Sequence, residues 1–459
     1  MVFSNLIFLY LFLPVCLIAY FFCPGIRAKN AVLILFSLIF YAWGEPVYLL
    51  LMIASAAVNW YFGLLIERRR KKIFLILALV LDLGCLAVFK YAGFFVENLN
   101  AVFGASIPVP QIALPIGISF YTFQALSYTV DVWRGDVPAQ RSFAKLLLYI
   151  SLFPQLIAGP IVRYSDVAAQ IDDRQFDASE AFYGATRFCI GLAKKVLLAD
   201  AAGKVASQIL DGSLASNTTV AAWLGILLYT FEIYFDFSGY SDMAIGMGQM
   251  LGFHFPENFN YPYTAASVTE FWRRWHISLT TWFREYLYIP LGGSRKGTWR
   301  TVRNIFLVWF CTGFWHGASW NFILWGLHFF VWLMLEKYLL RDFLQKLPSW
   351  LRHFYTLVVV FVGWGVFAME DLTVCAGYFK TCFGSGTLWS AADGYYLTAY
   401  GLTLLLLTVG STRLPRKVWD RLPERTRDLL GPLLMTAGLV ICTAYLVDGS
   451  YNPFLYFRF

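Results

Sequence analysis

Charge is scarce in this sequence. Only 14% of its 459 residues are Asp, Glu, Lys or Arg, against 59% hydrophobic, and the mean hydropathy is +0.60. Soluble domains carry charge on about a quarter of their residues, so a water-soluble globular protein is excluded and a polytopic membrane protein is expected. Period-2 alternation is absent, which argues against a transmembrane barrel. Helices satisfy their backbone groups locally, as lipid requires. An all-α chain is therefore expected, with one membrane domain over residues 1–447 and a tail at 448–459. The eight cysteines contain no CxxC and no Cys/His ligand cluster, so no metal site is expected. Cys16, Cys85, Cys189, Cys311 and Cys442 lie in apolar runs, where Cys acts as a small hydrophobe. Cys375 and Cys382 could pair only if their loop faces an oxidising compartment. No internal repeat is visible, which weakens a secondary-transporter reading.

Apolar runs fall near 3–22, 30–47, 48–66, 72–90, 112–130, 143–160, 181–199, 220–246, 302–335, 354–369, 395–411 and 429–447. Several are broken by Pro, Gly or polar residues, so about eleven crossings of a roughly 30 Å core are expected, with re-entrant pieces besides. The first run has no positive start and no small-x-small cleavage site; it reads as a retained helix and not as a signal peptide. The net charge of +8 gathers in short loops, which suits orientation in a bilayer better than nucleic-acid binding. "ERRRKK" (67–72) and "TRLPRKVWDRLPERTR" (412–427) are expected on the cytoplasmic side. Counting crossings from these loops puts the N-terminus and the tail outside the cytoplasm.

Histidine is also rare, at five residues. His316 sits in "TGFWHGASWNFILWG" (312–326), a run of Trp, Phe, Leu and Ile. A titratable group at membrane depth is expensive and marks function by default. It is either hydrogen-bonded between helices or a catalytic base. His328 lies twelve residues on, roughly 120° around a helix, so the two cannot share a metal on one face; His328 reads as a packing residue. His254 and His353 lie near run ends and read as interfacial. His276 follows "FWRRW" in a stretch, 251–300, too polar to span. There Trp272, Trp275 and Trp282 alternate with Arg273, Arg274 and Arg284, which reads as an amphipathic helix at the interface. An exposed histidine on such a helix needs no special explanation. With Arg295, Lys296, Arg300 and Arg303 these arginines make a positive rim. It serves either as positive-inside anchoring or as a seat for a phosphate-rich donor. Glu232, Asp236 and Asp242 interrupt the apolar "FEIYFDFSGYSDMAIG" (231–246), as carboxylates paired to Arg or as a proton path.

"FWRRWHISLTTWFREYLYIPLGG" (271–293) followed by "GFWHGASWNFILWG" (313–326) resembles the membrane-bound O-acyltransferase family, in particular its bacterial polysaccharide-acetylating branch. "ALPIGISFYTFQALSYTVDVWRG" (113–135), "FPQLIAGPIVRY" (153–164) and "YFDFSGYSDMAIG" (234–246) resemble it as well, in the same order. The likeness therefore runs nearly end to end. It implies an acyltransferase of the bacterial cytoplasmic membrane, with helices around a central tunnel. His316 would be its buried catalytic histidine and His276 its second histidine, near the cytoplasmic mouth. The final "FLYFRF" resembles a Phe-x-Tyr-x-x-Phe motif of this branch. Phe454, Tyr456 and Phe459 hold the motif positions, and the likeness implies that Tyr456 carries the acyl group. An aromatic anchor at the interface is the plainer role for that tyrosine.

On this reading acetyl-CoA is the donor, and its phosphates lie against Arg273, Arg274, Arg284, Arg295 and Lys296. An SGNH-type extracytoplasmic partner then passes the acetyl group to a polysaccharide. Two other functions stand beside it. D-Alanyl transfer to teichoic acid would use a carrier-protein donor and a separate motif peptide, whereas here the motif is fused. A proton-coupled transporter would use His316 as a relay without any acyl-enzyme.

Overall fold

The computed structural model describes residues 1–210, 218–449 and 454–455. The described residues are helical throughout apart from loops, with one isolated bridge between Thr218 and Thr387. Six helices among them are long and apolar enough to cross a membrane: Gly25–Ala42, Tyr48–Arg69, Lys72–Phe103, Thr219–Met250, Ser349–Ala368 and Glu424–Asp448. Phe8–Phe22 and Gly401–Gly410 are shorter apolar helices.

The chain divides into two compact units. The first comprises Met1–Phe188 and Tyr240–Glu257. Fourteen of the seventeen residues of Ile118–Arg134 are buried, and several polar side chains of this unit are paired with one another or with backbone. Asn59 Nδ2 donates to Asp82 Oδ1 at 2.9 Å, and Tyr20 donates to the Leu251 carbonyl at 2.8 Å. Arg174 donates to Asn30 Oδ1 at 2.6 Å and lies over the Phe253 ring at 4.2 Å. The run expected at 72–90 continues to Phe103 and stops at Gly104, whose φ of 62° ends the helix in the left-handed conformation.

The second unit comprises Cys189–Gly239 and Asn258–Phe459, and here the sequence expectations need two corrections. The single run at 302–335 is two helices, Thr298–His316 and Trp320–Tyr338. Extended backbone at Gly317 and Ser319 separates them, so His316 stands at a hairpin end and not mid-helix. The amphipathic helix expected around Trp272–Arg284 is likewise two pieces, Val268–Arg274 and Ile277–Phe283. It does not lie exposed at an interface, because Trp272, Trp275 and Trp282 are buried. Trp272 packs edge-on against Trp309 at 4.6 Å and Phe329 at 4.8 Å, and Trp275 meets Trp364 at 4.7 Å. Such pairs add about 0.5–1.5 kcal/mol each beyond their burial, which favours turning the tryptophans inward. Glu336 closes the start of Val268–Arg274, accepting from the Val268 and Thr269 backbone N–H groups at 2.6 and 2.9 Å. Cys375 and Cys382 are both free thiols.

Candidate active site

The hairpin that presents His316 is drawn tight by two glycines. A Cβ on Gly326 would lie 2.4 Å from the Trp309 carbonyl oxygen, and one on Gly313 would lie 2.3 Å from that of Phe322. Only hydrogen fits at either point, so the backbones approach as small-residue crossings allow. The approach brings Trp325 against His316. The imidazole is 7% exposed and is boxed by rings set nearly edge-on. Trp325 lies at 4.9 Å, Trp315 at 5.0 Å and Phe367 at 5.3 Å between centroids. An imidazole so enclosed meets little competing water.

His276 stands beyond Trp315, 6.3 Å from that indole. It opens the helix Ile277–Phe283 at φ 43°, ψ 54°, the left-handed region, which costs a non-glycine residue roughly 1–2 kcal/mol. Asn258 holds it there. The Asn258 carbonyl accepts from Ile277 N at 3.0 Å. The Asn258 side-chain oxygen accepts from the Ser278 hydroxyl at 2.9 Å and the Ser278 N–H at 3.3 Å. A backbone N–H can only donate, so the Asn258 atom facing it is the oxygen. His276 Nδ1, 3.0 Å from that oxygen, must therefore carry the hydrogen.

The consequence falls on Nε2, which is left as a bare lone pair. It is buried and has no hydrogen-bond partner among the described residues. The residue is 1% exposed, and burial pushes its imidazole from 6.5 down to about 3. The ring thus stays neutral at physiological pH. An unmet buried acceptor costs about 1–3 kcal/mol, a cost removed when a ligand N–H or O–H reaches it.

Phe237 packs edge-on against His276 at 4.6 Å, and Phe454 of the tail lies 6.0 Å from Phe237. Five rings (His316, Trp315, His276, Phe237 and Phe454) therefore stand in series. Beside them Asp236 Oδ2 accepts from the Leu455 backbone N–H at 2.7 Å. Asp236 Oδ1 meets Lys195 Nζ at 2.7 Å, and Lys195 also reaches Asp200 at 2.8 Å.

Residues 137–376 match the model of the membrane-bound O-acyltransferase family, MBOAT. Over 418 residues the chain is 44% identical to the "Probable alginate O-acetylase AlgI" of Azotobacter vinelandii, which covers 89% of this chain and 83% of that protein. The chain belongs to the MBOAT family. It is thus an O-acyltransferase, and the MBOAT resemblance drawn from its motifs is correct. This MBOAT protein is also 36% identical to the "Peptidoglycan O-acetyltransferase" of Helicobacter pylori over 411 residues, 81% of this chain and 78% of that one. To the "Teichoic acid D-alanyltransferase" of Bacillus subtilis it is 30% identical over 223 residues, 46% of this chain and 56% of that one.

The other expected site residues of this MBOAT chain divide. Arg273, Arg284, Arg295, Lys296, Arg300 and Arg303 are exposed, though Arg284 also pairs with Glu285 at 2.8 Å. Arg274 is not free for a phosphate, because it pairs with Glu270 and donates to the Thr264 hydroxyl at 2.7 Å. Asp242 pairs with Arg187 at 2.9 Å, and the same guanidinium holds Glu257 at 2.6 Å. Asp236 pairs with a lysine and not an arginine. His276, expected to be exposed, is buried. His328 donates from Nε2 to the Val359 carbonyl at 3.0 Å, a packing role. His254 lies 3.0 Å from Glu180 at the surface, and His353 is bonded to the Ala265 carbonyl at 3.0 Å. Tyr456 and Phe459 lie outside the described residues.

Lys195 and Asn258 were not singled out from sequence. Lys195 carried a signal, as a cation inside the apolar run 181–199. Asn258 carried none, since Asn in a polar loop reads as an ordinary turn residue.

Proposed function

We propose that this MBOAT protein moves an acetyl group from cytoplasmic acetyl-CoA onto Tyr456 of its own tail, for onward transfer to an extracytoplasmic polysaccharide. The observation that carries the reading is the series of rings linking buried His316 to Phe454, two residues before Tyr456 in the sequence. The polysaccharide acceptor follows from relatives named for alginate and peptidoglycan acetylation.

The CoA phosphates lie against exposed Arg273, Arg284, Arg295 and Lys296, each Arg able to give paired donors. An amide N–H of the pantetheine arm donates to His276 Nε2. His316 draws the proton from the Tyr456 hydroxyl as that oxygen attacks the thioester carbonyl. The C–O bond forms, the C–S bond breaks, and the proton leaves on the CoA thiol. Tyr and His differ by about 3.5 units in ordinary pKa, so prior deprotonation would cost roughly 5 kcal/mol and removal is concerted with attack. The phenolic ester remains an activated acyl group. An SGNH-type partner takes it onto a serine and passes it to a glycan hydroxyl. The proposal includes about eleven crossings of the bacterial cytoplasmic membrane around a tunnel, with both termini outside the cytoplasm.

His316→Ala and Tyr456→Phe in cells test this directly. Both variants should reach the membrane at normal level and lose polysaccharide acetylation. Full acetylation by either one removes that residue from its role. D-Alanyl transfer is the second reading, resting on the partial match to the teichoic-acid enzyme; labelled acetyl-CoA left unused by the purified protein would favour it.

A further inference from the structure

We infer that Asp236 is the docking post for the C-terminal tail, holding it through the Leu455 backbone N–H and so setting which residue is presented next. The contact stands by itself; its consequence for acyl transfer rests on the proposed role of Tyr456.

Asp236 lies within the apolar helix Thr219–Met250 and is 1% exposed. A lone carboxylate there would be strongly unfavourable. Lys195 offsets it, itself buried and presented from the π-helical segment Lys194–Ala199, a helix distortion frequent at functional sites. Lys195 also reaches Asp200, at 2.8 Å. The Leu455 N–H donates to the other Asp236 oxygen, Oδ2, at 2.7 Å. A hydrogen bond to an ionised acceptor is roughly twice as strong as a neutral one.

The grip has two points. Asp236 holds the Leu455 backbone while the next helix residue, Phe237, packs against Phe454. Consecutive residues of the helix thus hold consecutive residues of the tail, and that fixes its register. Phe237 also packs on His276, so the register is tied to the site. The Leu455 side chain is itself buried, and recognition through the backbone makes its N–H essential. Asp236 and Lys195 are accordingly positioning residues.

Digestion of the purified full-length protein in detergent by carboxypeptidase Y, which also releases proline, tests the docking without any acyl chemistry. It is read by intact mass, and each variant's rate is taken relative to the same protein denatured. Digestion of the unsubstituted protein should leave Leu455 in place. In Asp236→Ala it should run through Phe454. Leu455→Pro removes the N–H but leaves Asp236 and Lys195 in place, and should release the tail in the same way. Leu455→Val keeps the N–H and should stay protected. If Asp236→Ala fails to fold, Leu455→Pro decides. Protection unchanged in Leu455→Pro overturns the inference. With docking lost, acetyl-Tyr456 formed from labelled acetyl-CoA should fall roughly tenfold or more, the loss of one charge-assisted bond. Should no variant ever carry acetyl-Tyr456 while protection still follows Asp236, the docking stands and the carrier role of Tyr456 falls.

Discussion

Replacing Asn258 by Asp should give this enzyme a pH dependence that the unsubstituted site lacks. The carboxylate would keep an acceptor for the Ser278 N–H and hydroxyl and for His276 Nδ1–H, at the positions Asn258 Oδ1 now serves. What changes is charge. Two unit charges about 4 Å apart at an effective dielectric near 20 attract by about 4 kcal/mol, or about three pK units. That offsets most of the displacement from 6.5 to about 3 that burial imposes on His276, so the imidazole returns to about 6. At pH 5 roughly nine-tenths of the rings would then carry a proton on Nε2 and could no longer accept a hydrogen bond. The unsubstituted ring stays neutral across the same range. The assay is CoA release from acetyl-CoA by both purified proteins at each pH, taken as a ratio so that other titrating groups cancel. The ratio should fall roughly tenfold from pH 8 to pH 5. A flat ratio would refute the assignment of Nε2 as a working acceptor.

Burial of neutral His276 also predicts acid sensitivity. The unfolded chain takes up this proton below pH 6.5 and the folded chain only near 3. The contribution is therefore complete above pH 6.5 and lost as pH falls towards 3, by up to about 5 kcal/mol. His276→Gln should flatten the slope of thermal midpoint against pH between 6.5 and 4.5; an unchanged slope would place the proton elsewhere. Gly326→Val puts a Cβ 2.4 Å from the Trp309 oxygen, and should lower the yield of folded protein and abolish CoA release, whereas normal yield and activity would show that the hairpin can open. Glu336→Gln replaces one of two carboxylate oxygens that accept from Val268 and Thr269 by an NH2. A loss of about 1–3 kcal/mol should appear as a lower thermal midpoint.

Much of this was legible in the sequence, because lipid imposes simple rules. Scarce charge gave the helical class, and the apolar run around His316 gave its burial. What local composition could not reveal were the two helix breaks. Gly317, Ala318 and Ser319 interrupt an otherwise apolar run without any charge or proline, and the turn there depends on the Gly313 and Gly326 crossing. At His276 the neighbouring arginines argued for a surface, and the tryptophans overruled them by packing inward. The left-handed backbone at that residue depends on Asn258, eighteen positions earlier. Asp236 was legible as a buried charge, but its partners come from residue 195 and from the tail, at separations that no local pattern encodes.

The central claim is that His316 drives acetyl transfer to the chain's own tail. The most direct measurement incubates the purified full-length protein with isotope-labelled acetyl-CoA and maps the label by peptide mass spectrometry. Label on Tyr456, absent in His316→Ala protein of the same thermal midpoint, is the predicted result. Release of CoA with no label on Tyr456, or equal label in the His316→Ala protein, would contradict it.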